Sequence, residues 1–548
     1  MGHSATRLLT ARPVDYLIIA AYFLFVLGIG AVVGRRMKSS EDFFQAGRSI
    51  PAWVTGLAFL SANLGALEVL GMAAQGAEYG LMTAHFYWVG AIPAMVFLGI
   101  FMMPFYYGSQ ARSVPEYLQK RYNEPTRAVN ALTFAVSTLV LSGTSMYGMG
   151  LVFHDLLGWD INLTIWLAAG VVLVYTALGG LTSSIYNEVL QFFLIVLGLA
   201  PLVIVGVLAS GGWGGVAGHV PAGFLHTWRG TAHEATNSMH VTWPGIVLGL
   251  GFVLSFGYWC TDFLVVQRAL AARDINAAQR TPLIAALPKV FFPFLVILPG
   301  LLALPLFPQL GQDTARHPEN SYNNALPLLM GHYYPAGMLG LGLTALLASF
   351  MSGMAGNTTA FNTVFTYDLY QAYLVKGRPD RHYLNVGRVA TVAGVLLSVA
   401  TAYVAASAPS IMDFTQTVFG FVNAPLLGTF LFGMFWKRTT PWGGFWGLIV
   451  GTGAAVVHYV LTARGVLHYS TAQAGNFWRA FLAFCVGALA TYLISLATRP
   501  RPAADLRGLV YSETPRPAPD PGLPWYERPA TFGLIVLALA ALLNVLFW

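Results

Sequence analysis

The sequence predicts an all-α polytopic membrane protein with about 14 transmembrane helices. Only 9% of the 548 residues are charged, whereas a soluble globular protein carries about 25% charged residues. Hydrophobic residues make up 56% of the chain, and apolar stretches of about 20 residues, long enough to cross a bilayer, recur from end to end. These observations exclude a water-soluble protein. They also exclude a disordered one, which needs low hydrophobicity and high charge.

The apolar stretches define fourteen predicted helices, which are numbered here in chain order. Helix 9 is longer than one span, so we expect its cytoplasmic end to project into water. The predicted helices are 14–34, 51–77, 83–107, 127–153, 161–179, 184–209, 243–267, 282–307, 335–372, 386–408, 411–435, 441–462, 476–497 and 530–548.

The distribution of basic residues predicts the orientation of the chain. Of the 29 Lys and Arg residues, 22 lie after helices 1, 3, 7, 9 and 11 or in the segment 498–529. Basic loops remain on the cytoplasmic side of a membrane. We therefore expect a multi-pass protein of the cell membrane with both termini outside. The net charge of +7 reflects this topology, and we expect no binding to nucleic acid.

Helix 2 carries small and polar residues at its centre. Asn63 and Glu68 lie there together with Gly65 and Gly71, and glycine is a poor helix former. An acidic residue at this depth is costly and usually faces a cavity. Two interpretations remain open: close packing by small residues with one buried hydrogen bond, or an unwound stretch whose free carbonyl groups face a cation.

Helix 9 presents a second polar face. The small and polar residues of helix 9 are mostly three or four positions apart, so they share one side of the helix. They are Ser349, Ser352, Gly353, Gly356 and Asn357. Packing of small residues explains this pattern. Alternatively, the hydroxyl groups supply oxygen ligands for Na⁺ opposite an unwound helix, as in many secondary transporters.

Ordered motifs cover residues 40–450. They include Phe43-Phe44-x-Ala46-Gly47-Arg48, Val114-Pro115-Glu116-Tyr117-Leu118, Tyr258-Trp259-Cys260-Thr261-Asp262 and Phe435-Trp436-Lys437-Arg438. Through this ordered set the sequence resembles the sodium/solute symporter family, closest in motifs to the sodium/glucose cotransporters. The resemblance implies a five-plus-five inverted repeat of the leucine-transporter type, formed by helices 2–6 and 7–11. It also implies that solute and Na⁺ cross together by alternating access.

The same resemblance, with the composition of the C-terminal part, divides the chain into five regions. The segment rich in Pro and Arg is expected to be flexible. The regions are an N-terminal peripheral helix (1–40), the transport core (41–438), peripheral helices (439–497), a cytoplasmic linker (498–529) and a C-terminal transmembrane helix (530–548).

The family's main sodium site can be placed on this sequence residue by residue. The resemblance implies that Na⁺ is the coupling ion, held by the carbonyl groups of Ser61, Leu64 and Ser349 and the hydroxyl group of Ser352. A second hydroxyl of the family is replaced by Gly353. One ligand is therefore missing, and water or a carbonyl group would fill the gap.

A second ion site, found in some members of the family, falls on Glu188. The accompanying hydroxyl positions fall on Ala355 and Gly356, which have no side-chain oxygen. We therefore expect one Na⁺ per transport cycle. The alternative for Glu188 is a structural role, with hydrogen bonds near Tyr186 and Gln191.

The family's solute site departs further from the pattern. Tyr87 stands where sugar-carrying relatives have an acid, Ser255 where they have Asn, and Glu68 where they have a neutral or His side chain. Lys289 lies inside helix 8 and needs a partner there; pairing with Glu68 and binding of solute are equally open. The resemblance assigns the solute site to Asn63, Glu68, Tyr87, Ser255, Tyr258, Lys289 and Gln416.

These features predict a Na⁺-coupled symporter of a small polar organic solute in a lipid bilayer. A sugar or polyol is favoured, and a small carboxylate, amino acid or vitamin is the alternative. A transporter-like sensor is a rival, which we disfavour because we expect no kinase domain after the last span. A passive channel is a further rival. No Walker A loop, HExxH or CxxC motif occurs in the sequence, so we expect no enzymatic activity.

Overall fold

The computed structural model describes residues 11–37, 39–314, 316–406, 410–515 and 522–548. Within these ranges every extended element of regular structure is a helix, which confirms the predicted all-α class. The first ten residues of the predicted segment 1–40 and residues 516–521 of the predicted linker lie outside the described ranges.

Fourteen spans, labelled α1 to α14, follow one another along the described residues. Three of them consist of two helices joined by a bend, labelled a and b. Short helices Ser40–Gln45, Val114–Arg121, Gly212–His219 and Ala325–Tyr333 lie in the connections. The spans are α1 Pro13–Gly34, α2a Ala52–Asn63, α2b Leu67–Ala84, α3 Phe86–Gly108, α4 Glu124–Leu157, α5 161–179, α6 181–209, α7a Gly245–Thr261, α7b Phe263–Leu270, α8a Ile275–Lys289, α8b Phe292–Ala303, α9 Met338–Leu374, α10 Asp380–Ala405, α11 Ile411–Phe435, α12 Pro441–Ala463, α13 Ala472–Ala497 and α14 Pro529–Leu546.

The break in α2, which was one of two interpretations of its sequence, is present and bends the span by 65°. The predictions that helices 7 and 8 run continuously are wrong, because α7 bends by 47° and α8 by 49°. In α7 the extended backbone of Asp262 ends one helix, and its carboxylate caps the next by accepting the Leu264 N–H at 2.9 Å. In α8 the break lies beside Pro293, which has no N–H to continue the helix.

Spans α5 and α6 adjoin more closely than the sequence predicts. Residues Ile161–Ala209 run as two helices that meet at Gly180, without the predicted loop between them. Gly180 has a φ of +51°, and a Cβ atom there would lie 2.3 Å from the carbonyl oxygen of Phe43. Only glycine fits this turn, because it has neither the conformational penalty nor the side chain.

The loops predicted to be cytoplasmic gather at one end of the bundle. The loop after α1 pairs with the loop after α7 through Ile50 and Ala271, and Arg127 before α4 forms a 2.8 Å ion pair with Asp368 of α9. At the opposite end, Asp15 of α1 accepts the N–H of Gly337. At this same end, the loop before α7 donates a backbone hydrogen bond to the residues that follow α14. Both ends of the described chain therefore lie on the same side, opposite the basic loops.

Part of the predicted flexible linker packs against the bundle. The Tyr117 hydroxyl donates to the Leu509 carbonyl at 2.8 Å, and Arg501 donates to the Lys120 carbonyl at 2.8 Å. Leu506 and Val510 are buried. These apolar side chains and backbone contacts hold the first half of the segment in place, which its Pro and Arg content did not indicate.

Span α9 is the centre of the molecule. Every residue from 342 to 364 is buried, whereas α1, α12, α13 and α14 expose large apolar side chains on their outer faces. Such exposure is what a surrounding bilayer favours. The polar face of α9 is therefore enclosed by other helices and meets the break in α2.

Candidate functional site

The break in α2 frees two carbonyl groups at the centre of the bundle. Leu64 has φ −78° and ψ 51°, which is not helical, so the residues before it lose regular i+4 partners. The Ser61 carbonyl accepts the Leu64 N–H at 2.8 Å. Each carbonyl oxygen has two lone pairs, and both groups face α9.

Two hydroxyl groups of α9 meet these carbonyl groups. Ser352 Oγ donates to the Ser61 carbonyl at 2.8 Å and lies 3.1 Å from Ser61 Oγ. Ser349 Oγ donates to the Leu64 carbonyl. All four residues are completely buried. The structure thus brings the four predicted sodium ligands together, but Ser349 directs its hydroxyl group to the site, where the sequence analysis assigned its carbonyl group.

All seven residues predicted to contact the solute line one cavity beside the break. The cavity lies between α2, α3, α7, α8 and α11, and apolar side chains such as Phe86 and Phe419 complete its wall. A cavity with a few convergent polar groups among apolar ones is typical of a small-molecule site. The seven are Asn63, Glu68, Tyr87, Ser255, Tyr258, Lys289 and Gln416.

Lys289 contacts several of the polar and aromatic side chains around this cavity. Its ammonium group donates to Glu68 Oε1 at 2.6 Å and to Asn63 Oδ1 at 2.6 Å. It also lies 5.1 Å from the ring centre of Tyr87 and 5.0 Å from that of Trp259, within the range of cation–π attraction. The pairing of Lys289 with Glu68, one of the two interpretations of the sequence, is present.

The broken helices favour this ion pair. Glu68 lies in the first turn of α2b, and Lys289 is the last residue of α8a. A helix N-terminus carries partial positive charge and a C-terminus partial negative charge. Each helix end therefore stabilises the charged side chain placed on it, which helps to offset the cost of burying two ions.

The other cavity residues differ in how free their polar atoms are. Asn63 Nδ2 donates to the Tyr258 hydroxyl at 3.0 Å. The Ser255 hydroxyl donates to the Leu250 carbonyl of its own helix at 2.9 Å. Gln416 Oε1 is buried and has no hydrogen-bond partner among the described residues. Gln416 is thus an open acceptor in this cavity.

A second cavity adjoins the first and was not predicted from the sequence. Asn63, Leu67, Tyr258 and Phe419 line both cavities, so they form the partition between them. The Tyr258 and Phe419 rings lie 4.8 Å apart. The remaining lining residues of the second cavity include Gly65, Ser145, Asp262, Gly353 and Asn357.

Glu188 lies in a different environment from either one predicted. Arg268 of α7b donates to both of its carboxylate oxygens, at 2.6 and 3.2 Å, and Ser184 Oγ donates at 2.7 Å. Both charged side chains are completely buried. The expected neighbour Gln191 bonds Tyr22. The bend of α7 brings Arg268 against α6, where its guanidinium group pairs with Glu188.

Replacing Glu188 by glutamine is expected to destabilise the protein by about 3–5 kcal/mol, because Arg268 would remain buried without its counter-charge. The half-saturating Na⁺ concentration of the folded variant should not change. Thermal unfolding and Na⁺ titration of purified protein measure the two effects. Glu124→Gln, at the partly exposed Arg127–Glu124 pair, is the control and should cost about 1 kcal/mol or less. A folded Glu188→Gln protein with weakened Na⁺ dependence would instead assign Glu188 to an ion site.

Comparison with known proteins shows which family has this architecture. The model of the sodium:solute symporter family matches residues 43–451. A sodium/glucose cotransporter of Vibrio parahaemolyticus is 30% identical over 80% of this chain and 83% of its own length. Sodium/myo-inositol cotransporter 2 of Rattus norvegicus is 29% identical over 82% of this chain and 70% of its own.

A solved structure shares the fold. The structure of a Na⁺-coupled sialic acid symporter, in a substrate-bound outward-open state, matches with a TM-score of 0.74 at 19% identity, covering 89% of this chain and 98% of that one. This likeness supports the all-helical inverted-repeat fold, whose two halves here begin with the broken spans α2 and α7. The relatives are transporters, which confirms the expectation that the chain is not an enzyme. The family match also supports Na⁺ as the coupling ion. The chain is therefore a multi-pass membrane protein that belongs to the sodium:solute symporter family.

Proposed function

We propose that this protein carries a small uncharged polar solute, a sugar or polyol, together with one Na⁺ by alternating access. The observation that carries the proposal is the shared break in α2. Its residues Ser61 and Leu64 bear the sodium oxygens, and its residues Asn63 and Glu68 face the solute cavity. The matched relatives named for glucose and myo-inositol support the solute class.

The charges of the cavity favour a neutral solute. Lys289 is already paired with Glu68 at 2.6 Å, so the pair has no net charge to offer an ion. A carboxylate would have to displace Glu68 and leave that acid buried without a partner, which is costly. A hydroxyl group both donates and accepts, so a polyol can bond Glu68, Gln416 and Tyr258 without breaking the pair.

The break in α2 also provides a route for coupling. Na⁺ held by the Ser61 and Leu64 carbonyl groups fixes the unwound backbone between them. Asn63 lies in this segment and bonds both Lys289 and Tyr258. Binding of the ion therefore orders solute contacts, and bound solute in turn favours the ion, as linkage requires.

Alternating access places the partition between the two cavities at the centre of the cycle. Tyr258 reaches across it to Asn63, so movement of this side chain opens the solute cavity toward the second cavity. In the orientation given by the positive-inside rule, the basic loops face the cytoplasm. The protein then lies in the cell membrane with both termini outside.

Tyr258→Ala is expected to reduce solute exchange about tenfold or more while the protein remains folded, because the ring closes one side of the cavity. Exchange of labelled for unlabelled myo-inositol or glucose in proteoliposomes measures it. Tyr469→Ala, at a partly exposed ring that is bonded to His458 and lines neither cavity, is the control. Unchanged exchange kinetics in Tyr258→Ala would contradict the gating role.

A thermal-shift experiment tests the proposed function itself. Purified protein is titrated with glucose, myo-inositol and small carboxylates, in Na⁺ and in K⁺ at equal ionic strength. A cotransported solute should raise the unfolding temperature in Na⁺ and much less in K⁺, and the solute should tighten Na⁺ binding by the same factor. Stabilisation by carboxylates alone would favour the other solute class, and stabilisation that is indifferent to Na⁺ would contradict coupled binding.

A further inference from the structure

The four sodium oxygens leave one side of the site open. Ser61 and Leu64 of α2 and Ser349 and Ser352 of α9 form the opposing pairs. On the open side, Gly65 and Gly353 face each other: a Cβ atom on Gly353 would lie 3.1 Å from the Gly65 Cα. No side chain of α2 or α9 enters this gap, although each glycine follows directly after a residue that supplies an oxygen.

A hydroxyl group of a third helix reaches the gap. Ser145 Oγ of α4 lies 3.2 Å from the Cβ position of Gly353 and 3.2 Å from that of Gly65. Ser145 is 6% exposed and lines the second cavity. The two glycines and this serine therefore converge beside the four oxygens.

The hydroxyl group of Ser145 differs in its bonding from neighbouring hydroxyl groups of α4. Buried Ser and Thr residues in helices commonly donate to a carbonyl of their own helix, as Ser137 does to Phe134 at 3.0 Å and Thr144 to Val140 at 2.9 Å. Ser145 Oγ shows no such bond to its own helix in the described part of the chain, and the residue lines the second cavity instead. A hydroxyl group that opens on a cavity and does not bond its own helix is available to a ligand bound there.

The surroundings of Ser145 favour a cation. The second cavity is also lined by Asp262, which is 4% exposed, and by Asn357, whose Oδ1 is buried without a hydrogen-bond partner among the described residues. The described lining includes no Lys or Arg side chain. A hard cation prefers oxygen ligands of this kind.

We propose that Ser145 Oγ is a fifth oxygen ligand of the coupling Na⁺, supplied by α4 where Gly353 supplies none. This inference rests on the proposed function, because it assumes the ion binds at the break in α2. It makes the sodium site a junction of three helices. The ion then joins α4 to α2 and α9, and its departure into the second cavity releases all three.

The experiment compares Ser145→Ala, Ser145→Cys and Ser137→Ala in purified protein, with Na⁺ alone as the probe. Thermal stabilisation is titrated with Na⁺ at constant ionic strength maintained with K⁺. Ser145→Ala should raise the half-saturating Na⁺ concentration about tenfold, which corresponds to about 1.4 kcal/mol. Ser145→Cys keeps the size of the side chain and replaces the oxygen, so it should raise it similarly. Ser137 is equally buried at 6% but bonds its own helix, and its variant should match the wild type.

The possible outcomes distinguish the proposed sodium site from the additional role of Ser145. Wild-type protein that Na⁺ does not stabilise would contradict the proposed sodium site as a whole. Wild-type protein that responds to Na⁺, with an unchanged half-saturation in Ser145→Ala or Ser145→Cys, would overturn the role of Ser145 alone. An equal loss in Ser137→Ala would also overturn it, because the effect would then come from packing of α4. Should Ser145→Ala fail to fold, the cysteine variant decides.

Discussion

Replacing Lys289 by methionine is expected to reduce solute uptake about 100-fold or more. Lys289 donates to Glu68 and Asn63, both at 2.6 Å, and its loss leaves a carboxylate buried without its partner. Breaking one partner of a buried ion pair costs about 3–5 kcal/mol. Uptake of labelled myo-inositol or glucose, normalised to folded protein, measures the loss of transport.

A double variant separates folding from solute binding. In Lys289→Met/Glu68→Gln no charge remains unpaired, so thermal stability should largely recover. Uptake should remain low, because the Lys289 donor is removed and the charged acceptor Glu68 is replaced by a neutral amide, which accepts a weaker hydrogen bond from the solute. Recovery of uptake together with stability would contradict a role in solute binding and would leave the pair as a structural element only.

Ser352→Ala is expected to raise the half-saturating Na⁺ concentration about tenfold or more. Ser352 Oγ lies 2.8 Å from the Ser61 carbonyl, and Gly353 beside it has no hydroxyl group to compensate. A hydrogen bond or ligand contact to a charged group is worth about 1.5–3 kcal/mol. The measurement is the Na⁺ dependence of uptake at saturating solute.

Thr344→Val is a matched control on the same helix. Thr344 is as deeply buried as Ser352, and its hydroxyl group donates to the Gly340 carbonyl of α9 at 2.7 Å. Removing this hydroxyl group should leave the Na⁺ dependence unchanged. A similar change in both variants, or none in Ser352→Ala, would contradict the placement of Na⁺ at the break.

The break in α2 is one of the two interpretations that its sequence allows, because polar and helix-breaking residues coincide at its centre. Asn63, Gly65 and Glu68 are each unfavourable in a continuous apolar helix. In α8, Pro288 and Pro293 are the residues that indicate a bend. In α7 the signal was weaker, since Asp262 alone marks the point where the helix ends and restarts.

The remaining site features depend on contacts between distant parts of the chain. Arg268 and Glu188 are 80 residues apart, and nothing in either local sequence indicates that a bend in α7 brings them together. Ser145 lies in a helix whose sequence carries no family motif, and its position opposite Gly353 appears only in the packed bundle. Periodicity identifies a polar face, but it does not identify the residue across from it.

The driving force for solute accumulation tests the coupling of one Na⁺ to one neutral solute. Proteoliposomes are loaded with K⁺, the membrane potential is set, and labelled myo-inositol and glucose are supplied with an inward Na⁺ gradient. One charge moving through 100 mV contributes about 2.3 kcal/mol. Accumulation is expected to require Na⁺ and to reverse at the potential for one Na⁺ per neutral solute. A reversal potential for two Na⁺ would contradict the single site, and full accumulation from a pH gradient in Na⁺-free buffer would contradict sodium coupling.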